Sequence, residues 1–315
     1  MKILTVITTS LFLYLLLISN SYGQLCKNWG QPITLGTLDH KIIAEASGIA
    51  VSQLSNNRLY HVNDSGNGSY FYSTYMDGSN TKSISIKGFD SSKADFEDMT
   101  IGPCYLKTCL FIGDIGDNNK ARDHIKILVI EEKENYKSNV KPIKIVKLIY
   151  PDHPHDAEAL AIHPNGDLYI LTKEANYKRN KSFPAKLFKI EREKWENSTS
   201  ALLMLDLIGT LNIESINNTS TGFFDNIITS FDIASNGIKF VILTYQNAYE
   251  FNIDLSKSNT NTFNKLIKDK DFNIAKLKRL PQQESITYLP DSKSLIYNSE
   301  YVGIKPKLVQ INCLE

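Results

Sequence analysis

The chain has almost no charge to spare: 35 Lys and Arg stand against 34 Asp and Glu, a formal net of +1. That balance excludes a general binder of nucleic acid or of an anionic membrane, whose affinity comes from excess cation. Long apolar runs are lacking after the first residues, so no later segment reaches the length of a membrane span. Helical periodicity is nearly absent, which excludes a helical bundle. The spacings GxSxG, HExxH, CxxC and the P-loop are missing, and with them any support for a serine hydrolase, a zincin or a nucleotide-binding protein. Cysteine is scarce, four in 315 residues.

What is present starts with an export signal. Lys2 is followed by an apolar run from Ile3 to Ser19, and Ser21 and Gly23 fit positions −3 and −1 of a signal-peptidase site. Residues 1–23 therefore read as a signal peptide and 24–315 as one mature domain, secreted to an extracellular or periplasmic space. The alternative is an uncleaved anchor. In an exported chain four cysteines imply two disulfides with three possible pairings. Position favours Cys104–Cys109, which bracket a tight hairpin, and Cys26–Cys313, which would tie the mature ends into a ring. Sequons stand at Asn63, Asn67, Asn197, Asn217 and Asn218.

Short runs of Ile, Val, Leu, Tyr and Phe alternate with Asn, Asp, Ser and Gly turns throughout, the pattern of an all-β chain. Five segments repeat one plan, starting at Glu45, Asp95, Asp156, Ile227 and Glu284: a polar start, an apolar strand, a turn, and a second strand ending in a polar or acidic group. Further strands follow each. Four-stranded antiparallel units recurring in this way predict a single β-propeller. Five blades are visible, and a sixth, degenerate one could lie between Asn197 and Phe224. The last unit shows three strands, so residues 33–43 would supply its outer strand and close the ring. Two packed β-sandwiches are the alternative.

In each unit the start of the first strand and the end of the second share an edge. Glu158 and Glu174 stand 16 apart, as do Glu284 and Glu300; Glu97 pairs likewise with Asp114, and Ser47 with Asn63 and Asp64. Acid from four of five units thus converges on one mouth of the channel. The fourth unit departs, with Asp232 deeper in its strand and Thr244-Tyr245 in place of the closing acid. Crowded carboxylates repel unless a cation neutralises them. Oxygen donors suit Ca²⁺ rather than Zn²⁺. The expected ligands are Asp64, Glu97, Asp98, Asp114, Asp117, Asn118, Glu158, Glu174, Glu284 and Glu300. Asn63, Arg122, Asp156, Lys173 and Tyr245 are expected to contact the bound molecule. The alternative for the loop at 113–119 is turn chemistry, Asp and Asn satisfying local N–H groups. Asp152-His153-Pro154-His155-Asp156 reads first as a polar lead-in to the third unit and only second as a transition-metal site. His155, Glu158 and Glu284 are the candidates for proton transfer. His61 faces the site or packs between blades.

The segments HVNDSGN (61–67), DFEDMTIG (95–102), LFIGDIGDNNKAR (110–122), DAEALAIHPNGDLYILTKE (156–174) and QQESITY (282–288) resemble a family of secreted β-propeller proteins widespread in bacteria. Its members carry HNDSG, WED, GDIGDN-x-x-R, DAEAL and GES signatures in this order. Here Phe96 stands where Trp is usual, Gln283 replaces a Gly, and Leu243-Thr244-Tyr245 replaces Arg-Thr-Tyr, which puts in doubt an anion contact at Leu243. The resemblance implies a propeller and no particular reaction. A more distant similarity to phytase-like, lactonase-like and NHL-type propellers suggests metal-dependent hydrolysis. Three functions compete: a Ca²⁺-dependent hydrolase of a phosphate or carboxylic ester; a non-enzymatic module with a structural metal and a glycan or protein ligand; and a mouth that takes a cationic organic ligand directly.

Overall fold

The computed structural model describes residues 24–314, apart from 65, 91, 93, 200 and 217–221. The expected signal peptide, and the sequons at Asn217 and Asn218, lie outside the described residues. Five antiparallel sheets form five blades, each with its first strand innermost. These inner strands are Ala46–Val51, Phe96–Cys104, Ala157–Ile162, Ile228–Ile233 and Gln283–Tyr288. Each packs beside the next, and the fifth returns to the first, so the ring closes at five. The span proposed for a sixth blade instead supplies the outer strand of blade three, Asp206–Leu211, and a short strand, Leu202–Met204, that runs parallel along the edge of blade two. Asn139–Val140 covers the edge of blade one in the same way. Both additions occupy strand edges that would otherwise be open to pairing.

The core is divided into five apolar layers, each between two neighbouring blades. Tyr60, Phe71, Met99 and Leu110 fill the space between blades one and two, and Tyr169, Leu171, Phe231 and Phe240 that between three and four. The remaining three layers join blades two to three, four to five and five to one. Because both faces of every blade are covered, inner strands such as Ala157–Ile162 are buried at each position. Ala46–Val51 and Ala157–Ile162 read accordingly as largely apolar runs, whereas Phe96–Cys104, Ile228–Ile233 and Gln283–Tyr288 carry polar residues among theirs.

Closure follows the sequence expectation. Ile33–Thr37 pairs antiparallel with Lys307–Asn312 as the outer strand of blade five. Cys26 and Cys313 are bonded, with Cα atoms 5.7 Å apart, and Cys104 is bonded to Cys109. A buried carboxylate reinforces the seam. Glu250 of blade four accepts from the Cys26 N–H at 2.6 Å, from Lys239 Nζ at 2.7 Å and from the Tyr288 hydroxyl of blade five at 3.1 Å.

Removing the seam disulfide should loosen the ring without redirecting the fold. The double variant Cys26→Ser/Cys313→Ser is expected to lose about 2–5 kcal/mol and roughly 5–10 °C in melting temperature by scanning calorimetry. An unchanged melting temperature would show that the strand pairing alone secures the closure.

Candidate functional site: an acidic mouth around a buried lysine

One irregularity, repeated five times, builds the mouth. Every inner strand carries a β-bulge at its second residue: Ser47, Glu97, Glu158, Thr229 and Glu284. A bulge leaves its residue unpaired and re-aims the side chain. The partner strands end at Asn63, Asp114, Thr172, Thr244 and Ser299, so the next residues, Asp64, Ile115, Lys173, Tyr245 and Glu300, are equivalent positions on the same rim. Two residues before each bulge stand Glu45, Asp95, Asp156, Ile227 and Gln282.

Lys173 stands at the centre of the charge pattern. Its ammonium bonds Glu158 Oε1 at 2.8 Å, and its side chain is 11% exposed. Burial works against that ammonium, but Glu158, Tyr245 and Glu284 outweigh it and hold its pKa well above the usual value. Burial drives the surrounding carboxylates the other way. Glu158 is pushed up to about 7 by burial, partly offset by Lys173. Glu300 also rises to about 7, through burial and then Asp64 and Glu45. Glu97 is raised by burial and by Glu158, Asp64 and Asp95, and Glu284 by burial against the pull of Lys173. Tyr245 donates to Glu284 Oε1 at 2.8 Å, whereas Glu284 Oε2 is buried with no hydrogen-bond partner. Carboxylate oxygens of Asp64, Asp95 and Glu97 lie within 4.8 Å of one another. Gly116 is held against this group so closely that a Cβ would collide with Glu97 and Asp95.

Of the expected ligands, Asp64, Glu97, Glu158, Glu284 and Glu300 do converge, with Lys173 and Tyr245 beside them. Asp156 flanks them and accepts from the Asp117 N–H at 2.8 Å. Asp95 completes the group with Asp64 and Glu97; it is absent from the expected ligands, and its one signal in the sequence is that it precedes Glu97 by two residues.

Several expected residues are placed elsewhere. Glu174 is one position beyond the rim, and a shift of one residue reverses the facing of a strand side chain. It pairs with His155 Nδ1 at 2.6 Å and Lys120 Nζ at 2.7 Å, and these partners outweigh its burial to lower its pKa to about 2. His155 is accordingly turned from the axis onto Phe188 and Tyr150 and is no proton-transfer group for the mouth. Asp114, one position before the rim, is buried and binds Arg122 at 2.7 Å. Arg122 also donates to the Gly116 carbonyl, so it fastens the loop rather than a ligand. Asp117 accepts from the N–H groups of Ala121 and Arg122 at 3.0 and 2.8 Å, which is the turn chemistry of the loop, and Asn118 is exposed. Asp98 lies one step down the channel and crosses it, accepting from Leu160 N at 3.0 Å and Ser230 Oγ at 3.2 Å. Asn63 is buried and binds the Ile42 carbonyl and the Tyr72 hydroxyl, so it neither reaches the mouth nor presents a free sequon. His61 is buried against Thr74, with its pKa lowered to about 3 by burial, and packs within its blade. Gln283, at the position of the usual Gly, donates to the Thr244 carbonyl at 2.7 Å and joins blades four and five.

At the far end of the channel Asp232 accepts from Tyr288 N at 2.8 Å and Thr287 Oγ1 at 2.9 Å. It lines a cavity of about 510 Å³ with Thr100, Gly102, Ile162 and Pro290. Aromatic side chains border the acidic mouth: Phe223 packs edge-on to Tyr177, and Phe224 does so to Tyr245.

No protein-family model matches the chain, and no curated protein sequence matches it. Among solved structures the chain is similar to the PQQ-bound aldose sugar dehydrogenase of Streptomyces coelicolor, at 8% identity and a TM-score of 0.50 over 92% of this chain and 99% of that one. It is also similar to a proposed oxidoreductase (glucose dehydrogenase) of Thermus thermophilus, at 6% identity and a TM-score of 0.50 over 90% of this chain and 100% of that one. A gluconolactonase of Xanthomonas campestris matches at 9% identity and a TM-score of 0.47, over 91% of this chain and 90% of that one. Identities this low establish the shared architecture alone.

Two variants probe the charge pattern. Glu300 has its pKa raised above the unfolded value, so its contribution to stability is full below about pH 4.5 and is lost as pH rises through about 7. In EDTA, Glu300→Gln should raise the melting temperature by roughly 2–4 °C at pH 8, with the gain nearly gone at about pH 4. A gain that is the same at both pH values would contradict the assignment. Lys173→Met should cost about 3–5 kcal/mol at pH 8, because it strands buried carboxylates, and less at pH 5.5, where Glu158 takes up a proton. Urea denaturation at the two pH values measures both effects.

Proposed function

We propose that this is a secreted protein whose propeller mouth binds Ca²⁺ and hydrolyses a phosphate or carboxylic ester. The carrying observation is the convergence of Asp64, Asp95 and Glu97 within metal-binding distance of one another, next to the buried Glu158–Lys173 pair. The donors are all oxygen, which fits a hard cation. The orphaned Glu284 Oε2 and the raised carboxylates describe a site short of positive charge. Secretion is supported by the apolar leader and the two disulfides; among the described residues no helix is long and apolar enough to cross a membrane.

Asp64, Asp95 and Glu97 would hold the ion, which when bound supplies a Lewis acid for the ester oxygen. Glu158 fits the role of general acid or base, because its pKa of about 7 lets it gain and lose a proton near neutrality. Lys173 fixes its orientation at 2.8 Å and carries positive charge for an anionic substrate group. Tyr245 and Glu284 form a hydrogen-bonded wall opposite. The exposed aromatic rings of Tyr177 and Phe224 favour a second reading, a glycan-binding module without turnover, since flat apolar faces beside carboxylates suit a sugar ring.

A panel of p-nitrophenyl phosphates, carboxylic esters and sugar lactones separates the two. Sugar lactones belong in it because two propellers of similar fold are named for sugar chemistry. Turnover is expected to require Ca²⁺, to vanish in EDTA, and to fall at least about 100-fold in kcat with Glu158→Gln. Turnover indifferent to both changes would sink the hydrolase reading. Retention on a glycan array without turnover of any substrate would replace it with the binding module.

A further inference from the structure

Outside the mouth, where the chain passes from blade two into blade three, ligand atoms of Asp152, His153 and His155 lie within 4.8 Å of one another. Asp152 and His153 are exposed, while His155 is buried with its ring 5.5 Å from that of Phe188. Both nitrogens of His155 face carboxylates: Nδ1 stands 2.6 Å from Glu174 Oε1, and Nε2 stands 3.0 Å from Asp152 Oδ1. A neutral imidazole has one N–H to give. With that proton directed to Glu174, Nε2 turns a lone pair toward a carboxylate oxygen, an arrangement that a cation held by both would satisfy. Lys186 marks the place, since its ammonium binds Asp152 Oδ2 and stands 3.4 Å from His155 Nε2.

The spacing fits an ion smaller than an ammonium. Ligands about 2.0–2.2 Å from a tetrahedral metal lie roughly 3.3–3.6 Å from each other. The two carboxylate oxygens of Asp152 each face one ring at a comparable separation, Oδ1 at 3.0 Å from His155 Nε2 and Oδ2 at 3.8 Å from His153 Nε2. Two imidazoles and a carboxylate select Zn²⁺, Cu²⁺ or Ni²⁺ over Ca²⁺. A carboxylate on the far nitrogen of a ligating histidine fixes its tautomer and raises its basicity, and Glu174 occupies that position.

We propose that Asp152, His153 and His155 form a Zn²⁺-class site, with Glu174 orienting His155 and Lys186 giving way to the ion. Three protein ligands leave one coordination position open, as in sites that exchange a water or a small ligand. The site is independent of the Ca²⁺ reading, because it shares no ligand with Asp64, Asp95 or Glu97.

Calorimetric titration of the EDTA-treated full chain with ZnCl₂ tests it, with the Co²⁺ absorption spectrum reporting coordination number. One Zn²⁺ is expected per chain, with micromolar or tighter affinity. His153→Gln and Asp152→Asn should each weaken it by about tenfold or more, and Glu174→Gln by about 10–100-fold. Lys186→Met should tighten it, and Glu97→Gln should leave it unchanged. Because Asp152 and His153 are exposed, their variants are expected to fold, which circular dichroism verifies. The proposal is overturned if no saturable binding occurs in the micromolar range, or if His153→Gln and Asp152→Asn bind as the wild type does. In that case His155 serves only to join Glu174 and Asp152 by hydrogen bonds.

Discussion

Burying several carboxylates beside one ammonium is the constraint on which the mouth depends. Each acid gains less from Lys173 than it loses in hydration, which is why Glu97, Glu158, Glu284 and Glu300 all hold their protons more tightly than free side chains do. A site in this condition is poised. In the proposed function a hard cation would replace the protons, and Glu158 would exchange one with a substrate. The same arrangement would be a defect in an ordinary core, where unpaired polar groups are costly. It persists here because the five-blade frame holds the acids in place. That frame rests on five apolar layers and on a seam fastened by the Cys26–Cys313 bond and the Glu250 network.

The bulges connect frame to site. Each inner strand must pair with its neighbour yet point one side chain to the axis, and an extra residue at the strand start does both. Where the bulged residue is Glu, the axis gains acid. Where it is Ser47 or Thr229, the hydroxyl turns to neighbouring backbone, the Glu97 and Gln283 carbonyls. The five positions are therefore structurally equal and chemically different. One side of the mouth is left rich in carboxylate, and the side near blade four is aromatic and hydroxylic.

Much of this was legible in the sequence, because a repeat repeats its geometry. The five first strands, their shared edge, the outer strand borrowed from the N-terminus and both disulfides follow from spacing and polarity. Equal spacing does not mean equal register. Glu158 to Glu174 and Glu284 to Glu300 are both 16 residues apart, but the blade-three hairpin pairs Ala157 with Thr172 while blade five pairs Gln283 with Ser299. One residue fewer in the hairpin puts Lys173, not Glu174, on the rim, and converts an expected ligand into the partner of His155. No periodicity in a single chain reveals a one-residue difference inside a turn. The loop at 113–119 failed differently: its acids are common turn residues, and only their partners, Arg122 and local N–H groups, show that Asp114 and Asp117 serve the loop.

Whether the mouth takes a cation decides the proposed function. The most direct measurement is isothermal titration of the EDTA-treated protein with Ca²⁺ at neutral pH, beside the Glu97→Gln variant. One Ca²⁺ bound per chain, with binding lost or sharply weakened in the variant, is the predicted result. No heat of binding in the wild type, or equal binding by the two proteins, would contradict it and leave Lys173 as the only cation that the site requires.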